Sequence, residues 1–203
     1  MTRYADIAYT DSVRAVQEEL NSPVGRRLSP EPAGRTPLTA DERLFVETRD
    51  GFYLGTTSET GWPYIQYRGG PPGFLHVVDG NTIAFADVRG NRQYISTGNV
   101  RHNDRVALFL MDYPSRSRLK IFGRMTLLDP EQNAGLADLV RQSRTDGRVE
   151  RIMSIAVEAH AWNCHQHITP RYSEAELEPA LAGLRARLDE LEAENRELRR
   201  KSA

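Results

Sequence analysis

The sequence predicts a mainly β domain with peripheral helices, of the α+β kind, closed as an antiparallel β-barrel and followed by a C-terminal coiled-coil helix. Three observations lead there. Two stretches between residues 52 and 88 each read as a run of strand-forming residues, a Gly-bearing polar turn and a second run, which is the pattern of a β-hairpin. About six such runs follow one another mostly by hairpins, where a parallel sheet would alternate strand and helix. From Leu177 onward, leucines recur at alternating spacings of four and three.

The bulk numbers suit this reading. A chain of 203 residues fits one ordinary domain with an appendage, or two small domains. Lys and Arg number 27 against 28 Asp and Glu, so there is no global basic field of the kind nucleic-acid binders present. A single cysteine, Cys164, excludes an internal disulfide framework. No stretch has the apolar run of a signal peptide or membrane span, so a reducing cytoplasm is expected. A mean hydropathy of −0.58 with 27% charged residues points to polar terminal segments around an ordinary core.

Taken in order, "YTDSVRAVQEEL" places Asp11 as an N-cap before Val13, Val16 and Leu20 at helical spacing. Residues 21–37 are rich in Pro, Gly and Arg without periodicity and read as an extended arm. "TADERLFVETRD" restarts a helix through a Thr39/Glu42 capping box, with Leu44, Phe45 and Val46 toward the core. The first hairpin, "FYLGTTSETGWPYIQYR", turns at 58–61, and the second, "FLHVVDGNTIAFADV", at Asp79-Gly80-Asn81. "RVALFLMDY" is a near-continuous apolar run that predicts a strand buried on both faces. "RLKIFGRMTLLD" alternates, with Gly123 marking a bulge. "PEQNAGLADLVRQS" predicts a helix with Pro130 near its start, and "ERIMSIAVEAHAW" is the last strand.

At the C-terminus, Leu184, Leu191 and Leu198 taken as heptad position d put Leu181, Leu188 and Asn195 at a. A polar Asn at a selects an in-register parallel dimer at some cost in stability. Arg187 at g then faces Glu192 at e of the partner, and Glu194 faces Arg199, while a surface helix packing its leucine stripe on its own domain is the alternative reading. The expected organisation is an N-terminal helix and arm over 1–38, the β domain over 39–172 and the coiled-coil helix over 173–203.

Two stretches carry candidate chemistry. "QYRGGPPG" (66–73) ends a strand abruptly beside Arg68, and "FADVRGNRQYISTGN" (85–99) turns from a strand through Arg89, Gly90, Asn91 and Arg92 into a helical segment ending at Gly98-Asn99. Guanidinium forks bind phosphate bidentately, glycine lets backbone N–H groups approach, and a helix N-terminus adds a favourable field. A solvated turn with ordinary surface arginines would read the same way. In "HAWNCHQH", His160, Cys164, His165 and His167 offer N and S donors at short spacing. With one cysteine and no paired ligand motif, no metal site is expected.

Read in order, residues 51–125, from "GFYLGTTSETG" to "LKIFGRM", resemble the pyridoxamine 5′-phosphate oxidase-like family, the FMN-binding split β-barrel flavoproteins, and the likeness extends over roughly 40–170. The resemblance implies a homodimer with FMN in clefts at the subunit interface. It implies that Gln66, Tyr67, Arg68 and Gly69 run along the isoalloxazine edge and that Phe85, Ala86 and Asp87 end the strand beneath it. Gly90, Asn91 and Arg92 then correspond to the phosphate turn, Arg118 to the side chain that reaches the cofactor from the partner, and Trp162 to a late tryptophan covering the flavin. Arg171 would meet a substrate anion. Where pyridoxamine-phosphate oxidases proper end in an arginine-rich stretch with a His between two arginines, this chain has "AWNCHQHITPRY". The resemblance therefore implies an FMN-dependent oxidoreductase acting on a small molecule other than vitamin B6. A deazaflavin reductase, a haem-handling protein using His160 or His167, and a non-catalytic flavin-binding or dimerisation module fit the same pattern.

Overall fold

In the computed structural model, residues 3–24, 34–141 and 148–201 are described. The chain divides into two compact units, Met1–Asp112 with Ser117–His165, and Tyr113–Arg116 with Gln166–Ala203.

The first unit is built on one antiparallel sheet of seven strands, β1 (Gly51–Thr57), β2 (Pro63–Gly69), β3 (His76–Val77), β4 (Thr82–Val88), β5 (Arg105–Asp112), β6 (Ser117–Leu128) and β7 (Val149–Trp162). Their order is β2-β1-β5-β6-β7-β4-β3. No backbone ladder closes the expected barrel among the described residues, and β2 and β3 are free edges. The sheet nevertheless curls on itself. Five strand spacings of about 4.8 Å separate β2 from β4 in a flat sheet, yet Arg68 on β2 and Asp87 on β4 form a 2.9 Å ion pair. The split between β2 and β4 is bridged by this side-chain pair.

Period-2 alternation decides what fills the concave face. Phe52 and Leu54, Leu108 and Leu110, Leu119 and Ile121, and Met153 and Ile155 are buried in one core. Helix α3 (Ala40–Glu47) packs Val46 into it, and Phe74 and Leu75 come from the loop after β2. α4 (Ile95–His102) is tied in by Asn99, whose amide donates to the buried Thr56 hydroxyl at 3.0 Å. On the other face, α5 (Ala134–Arg141) covers Ala84 and Ile152 with Ala137 and Val140.

Several elements differ from the sequence reading. A short helix, α1 (Arg3–Ala8), precedes α2 (Asp11–Glu19), and the N-cap of α2 is Thr10, with Asp11 as its first residue. Val16 and Leu20 are exposed, so the apolar stripe of α2 has no cover in this unit. The capping box of α3 is present, but Leu44 faces solvent because the buried positions, Glu42 and Val46, lie one turn apart on the opposite side. β5 is buried on one face only: Arg105 and Ala107 are exposed between buried Val106 and Leu108. Its apolar run reflects an outer sheet face of apolar residues, which also exposes Tyr53, Ile65 and Tyr67. α4 continues past Gly98-Asn99 to His102, and α5 starts four residues after Pro130. Residues 25–33 of the expected arm lie outside the described residues.

Gly123 does mark a bulge. The β6–β7 register shifts between Phe122 and Gly123, and a Cβ there would fall 2.6 Å from Ile155 Cγ2 and 2.9 Å from the Ala156 carbonyl oxygen.

In the second unit, Arg171 stacks its guanidinium 5.0 Å from the centre of the Tyr113 ring. Ser173 and Glu176 form a reciprocal cap, with Glu176 accepting from the Ser173 N–H at 2.8 Å, ahead of α6 (Glu174–Lys201). No described helix is long and apolar enough to cross a membrane.

Candidate functional site

The register of β1 with β2 sets the site. Gln66 pairs with Leu54 and Arg68 with Phe52, so both side chains turn to the concave face at the open edge of the sheet. Across the split lie the end of β4, the turn 89–94 and the N-terminus of α4. Together they enclose a cavity of about 180 Å³ lined by Gln66, Arg68, Asp87, Arg92, Ser96 and Arg151, among others.

Asp87 organises it. Only 5% exposed, its carboxylate accepts from Arg68 Nη1 at 2.9 Å on one oxygen and from Arg151 Nε at 2.9 Å on the other, which Arg151 Nη2 also approaches to 2.9 Å as an ion pair. Arg151 also donates to Glu150 at 2.9 Å and lies 4.9 Å over the Tyr94 ring, whose hydroxyl donates to Glu150 at 3.2 Å. Ser96 Oγ donates to Gln66 Oε1 at 2.8 Å, joining α4 to β2. Arg68, Arg92 and Arg151 against Asp87 and Glu150 leave the lining with a net positive charge. Arg68 Nε is buried without a hydrogen-bond partner.

Two residues of the turn hold a left-handed backbone, as the exposed Asn21, Arg116 and His167 also do. Arg92 has φ 64° and Tyr94 φ 53°, left-handed conformations that cost a non-glycine residue roughly 1 kcal/mol or more. The Asn91 side chain braces them by accepting from Gln93 N–H at 3.1 Å. The Tyr94 carbonyl accepts the first α4 bond, from Gly98 N–H at 2.8 Å, and α4 thus starts at the cavity with Ile95, Ser96 and Thr97 in its first turn.

Of the residues singled out in the sequence, Gln66, Arg68, Asp87, Gly90, Asn91 and Arg92 come together in this cavity. Tyr67 and Gly69 do not. Tyr67 points to the outer face, 57% exposed and edge-on to Tyr53 at 5.6 Å, where burial, Asp50 and Tyr53 raise its hydroxyl above the usual range. Its ring lies across Gly51 and Gly69: a Cβ on Gly69 would sit 2.9 Å from the ring, and one on Gly51 2.0 Å from the hydroxyl. These glycines make room for a tyrosine of the same sheet. Phe85 is a core residue edge-on to Phe52, and Ala86 packs with the α5 cluster.

Arg118 and Trp162 meet elsewhere. Trp162 pairs with Leu119, the neighbour of Arg118, while Asp87 pairs with Arg151 eleven residues back along β7. At about 3.3 Å per residue that is roughly 35 Å of strand. The Trp162 Nε1–H donates to Glu42 at 2.6 Å and its ring packs edge-on against Phe45 at 4.8 Å. Burial opposes ionisation of Glu42, but donors from Thr39 and Trp162 outweigh it and hold the carboxyl below its ordinary range. His160 is buried beside it, with Nε2 3.2 Å from the Pro37 carbonyl and Nδ1 4.0 Å from Glu42. Among the described residues no three His, Cys, Asp or Glu side chains form a metal-binding group.

Sequence reasoning missed Arg151, Glu150 and Tyr94. Arg151 sits 64 positions from Asp87, and only the β4–β7 register makes them neighbours. Ser96 and Thr97 were missed too, although two hydroxyls opening a helix after a basic turn were a signal that could have found them.

A family model described as pyridoxamine 5′-phosphate oxidase matches residues 38–166. The chain belongs to the pyridoxamine 5′-phosphate oxidase-like family. Among solved structures it is similar to HupZ of Group A Streptococcus, with 15% identity, 66% of this chain and 100% of that chain covered, and a TM-score of 0.50. It is also similar to a candidate pyridoxamine 5′-phosphate oxidase of Lactobacillus delbrueckii, with 15% identity, 64% and 99% covered, and a TM-score of 0.48. General Stress Protein 26 of Bacillus anthracis is a third, with 10% identity, 62% and 94% covered, and a TM-score of 0.44. No curated protein matches the chain.

Proposed function

We propose that this chain is an FMN-dependent oxidoreductase that holds the cofactor phosphate in the cavity between β2, β4 and α4. The observation that carries the reading is the cavity itself: three guanidiniums, hydroxyls and a helix N-terminus converge on a turn with two left-handed residues, beside a buried arginine donor without a partner. Strain of this kind persists where the surroundings over-determine it, and it concentrates at ligand sites. A volume of about 180 Å³ suits a phosphate and falls short of the several hundred Å³ that whole ligands of cofactor size occupy. The flavin ring must therefore lie outside the cavity.

Arg92 and Arg68 would bind the phosphate, Asp87 would keep Arg68 and Arg151 aimed and neutralise part of their charge, and Ser96 and Thr97 would donate from the first turn of α4. Bound FMN would supply the redox step, taking or giving hydride at its N5. A homodimer completes the proposal. The outer face of β1 and β2 exposes Tyr53, Ile65 and Tyr67 beside an apolar cavity of about 580 Å³, and apolar sheet surface of this kind calls for cover. A second protomer there would bring Arg118 and Trp162 toward the other chain's flavin. The single cysteine is exposed and forms no disulfide, which suits a cytoplasmic protein.

The visible spectrum tests this. Purified protein should be yellow, or become so with added FMN, should release FMN on denaturation, and should bleach anaerobically with a pyridine-nucleotide donor. Protein that stays colourless after incubation with FMN would refute the cofactor, and bound flavin that no donor reduces would refute the oxidoreductase.

A further inference from the structure

No residue of α6 is buried, and its seam leucines stand in solvent, with Leu184 69%, Leu188 57% and Leu191 44% exposed. A 28-residue helix is about 42 Å long, and helices standing alone in water are marginal even with good formers. This one carries Pro179 and Gly183 inside it. Its own ion pairs, Arg185–Glu178, Arg187–Glu190 at 2.9 Å, Arg196–Glu192 at 3.7 Å and Lys201–Glu197 at 2.6 Å, are all exposed, and such pairs add little. The helix needs a partner.

We propose that α6 pairs with α6 of a second copy of this chain as a parallel two-stranded coiled coil. The stripe is narrow, confined to positions a (Leu181, Leu188, Asn195) and d (Leu184, Leu191, Leu198), with charge on the remaining faces, and that shape fits another helix better than a sheet. In a parallel pair Arg187 faces Glu192 of the other copy and Glu194 faces Arg199, opposite in sign both times. In an antiparallel pair e faces e and g faces g, and Arg185 with Glu192 or Arg187 with Glu194 is also opposite in sign. The charges therefore pick the partner and Asn195 picks the orientation. Parallel and in register, the two Asn195 amides meet and satisfy each other; antiparallel, each is set against leucine. The pairing stands apart from flavin binding and does not depend on it.

Disulfide trapping in the full chain, with Cys164→Ser to remove the exposed native thiol, reads this directly. Leu191→Cys, a d position that meets itself only in the parallel pair, should give mostly disulfide-linked dimer under mild oxidation. Ala193→Cys, on the outer face, should stay monomeric on the same non-reducing gel. A monomeric Leu191→Cys, or equal linking from Ala193→Cys, would overturn the proposal. So would a mixed dimer between Leu181→Cys chains and mass-tagged Leu198→Cys chains, which reports the antiparallel arrangement. As a check that needs no new cysteine, Leu184→Lys with Leu191→Lys should remove the share of the helical circular dichroism that α6 contributes, and an unchanged spectrum would count against pairing.

Discussion

Asp87→Asn is the perturbation whose consequence the geometry fixes most closely. The wild-type carboxylate is buried and accepts 2.9 Å charge-assisted contacts from Arg68 and Arg151, whose side chains are only 17% and 23% exposed. The amide keeps the volume and one acceptor oxygen but removes the charge, leaving two poorly solvated guanidiniums facing each other. Breaking a buried ion pair from one side costs about 3 to 5 kcal/mol. Because Asn retains one acceptor and Arg151 keeps Glu150, about 3 kcal/mol is expected here. For a chain of this size that is a fall in Tm of roughly 6 to 12 °C. Thermal and urea unfolding of the apo protein measure it, with inorganic phosphate as a second variable. Phosphate should recover more stability in the variant than in wild type, because the anion supplies the charge that Asn lacks. In an Arg68→Met, Arg151→Met background the same change should cost nothing and should stabilise, because it neutralises a carboxylate left buried without its partners. A Tm shift of about 1 °C or less, or an equal loss in that background, would show that Asp87 does not hold the two arginines.

Other outcomes follow from the same structure. Arg92→Ala should weaken FMN binding about tenfold or more while moving Tm little, because Arg92 is exposed; an unchanged affinity by fluorescence titration would remove it from the phosphate site. Gly51→Ala should destabilise by about 1 to 3 kcal/mol, since the new Cβ meets the Tyr67 hydroxyl, and Tyr67→Ala in the same chain should restore much of the loss; no rescue would mean that the ring is not the obstacle. Glu42 has its folded pKa depressed below the usual 4.5, so the stability it contributes is present above that value and is lost as pH falls through the folded pKa. Burial likewise lowers His76, with Glu47 opposing, which adds to acid sensitivity. Urea unfolding from pH 6 down to 3 should show wild type losing its advantage over Glu42→Gln, and parallel curves would refute the assignment.

How much of this was legible in the sequence depended on the range of the interaction. Hairpins, the Thr39/Glu42 box, the Gly123 bulge and the leucine seam are local patterns, and periodicity and turn chemistry report them. The turn that lines the cavity was readable for the same reason, since Gly90, Asn91 and Arg92 are near neighbours in sequence. Arg151 was hidden because its tie to Asp87 exists only in the β4–β7 register. Gly69 misled for a related reason: glycine reports that something approaches closely, and only the structure shows that Tyr67 does. The apolar run of β5 concealed its one-sided burial, because an outer sheet face that is itself apolar looks like a second core.

The most direct measurement is a comparison of FMN with riboflavin by fluorescence-quenching titration on the same apo protein. Two or more charge-assisted bonds to the phosphate, at about 1.5 to 3 kcal/mol each, predict FMN binding at least about a hundredfold tighter, with the difference shrinking in Arg92→Ala. Equal affinities, or no binding of either, would contradict a flavin phosphate held between β2, β4 and α4.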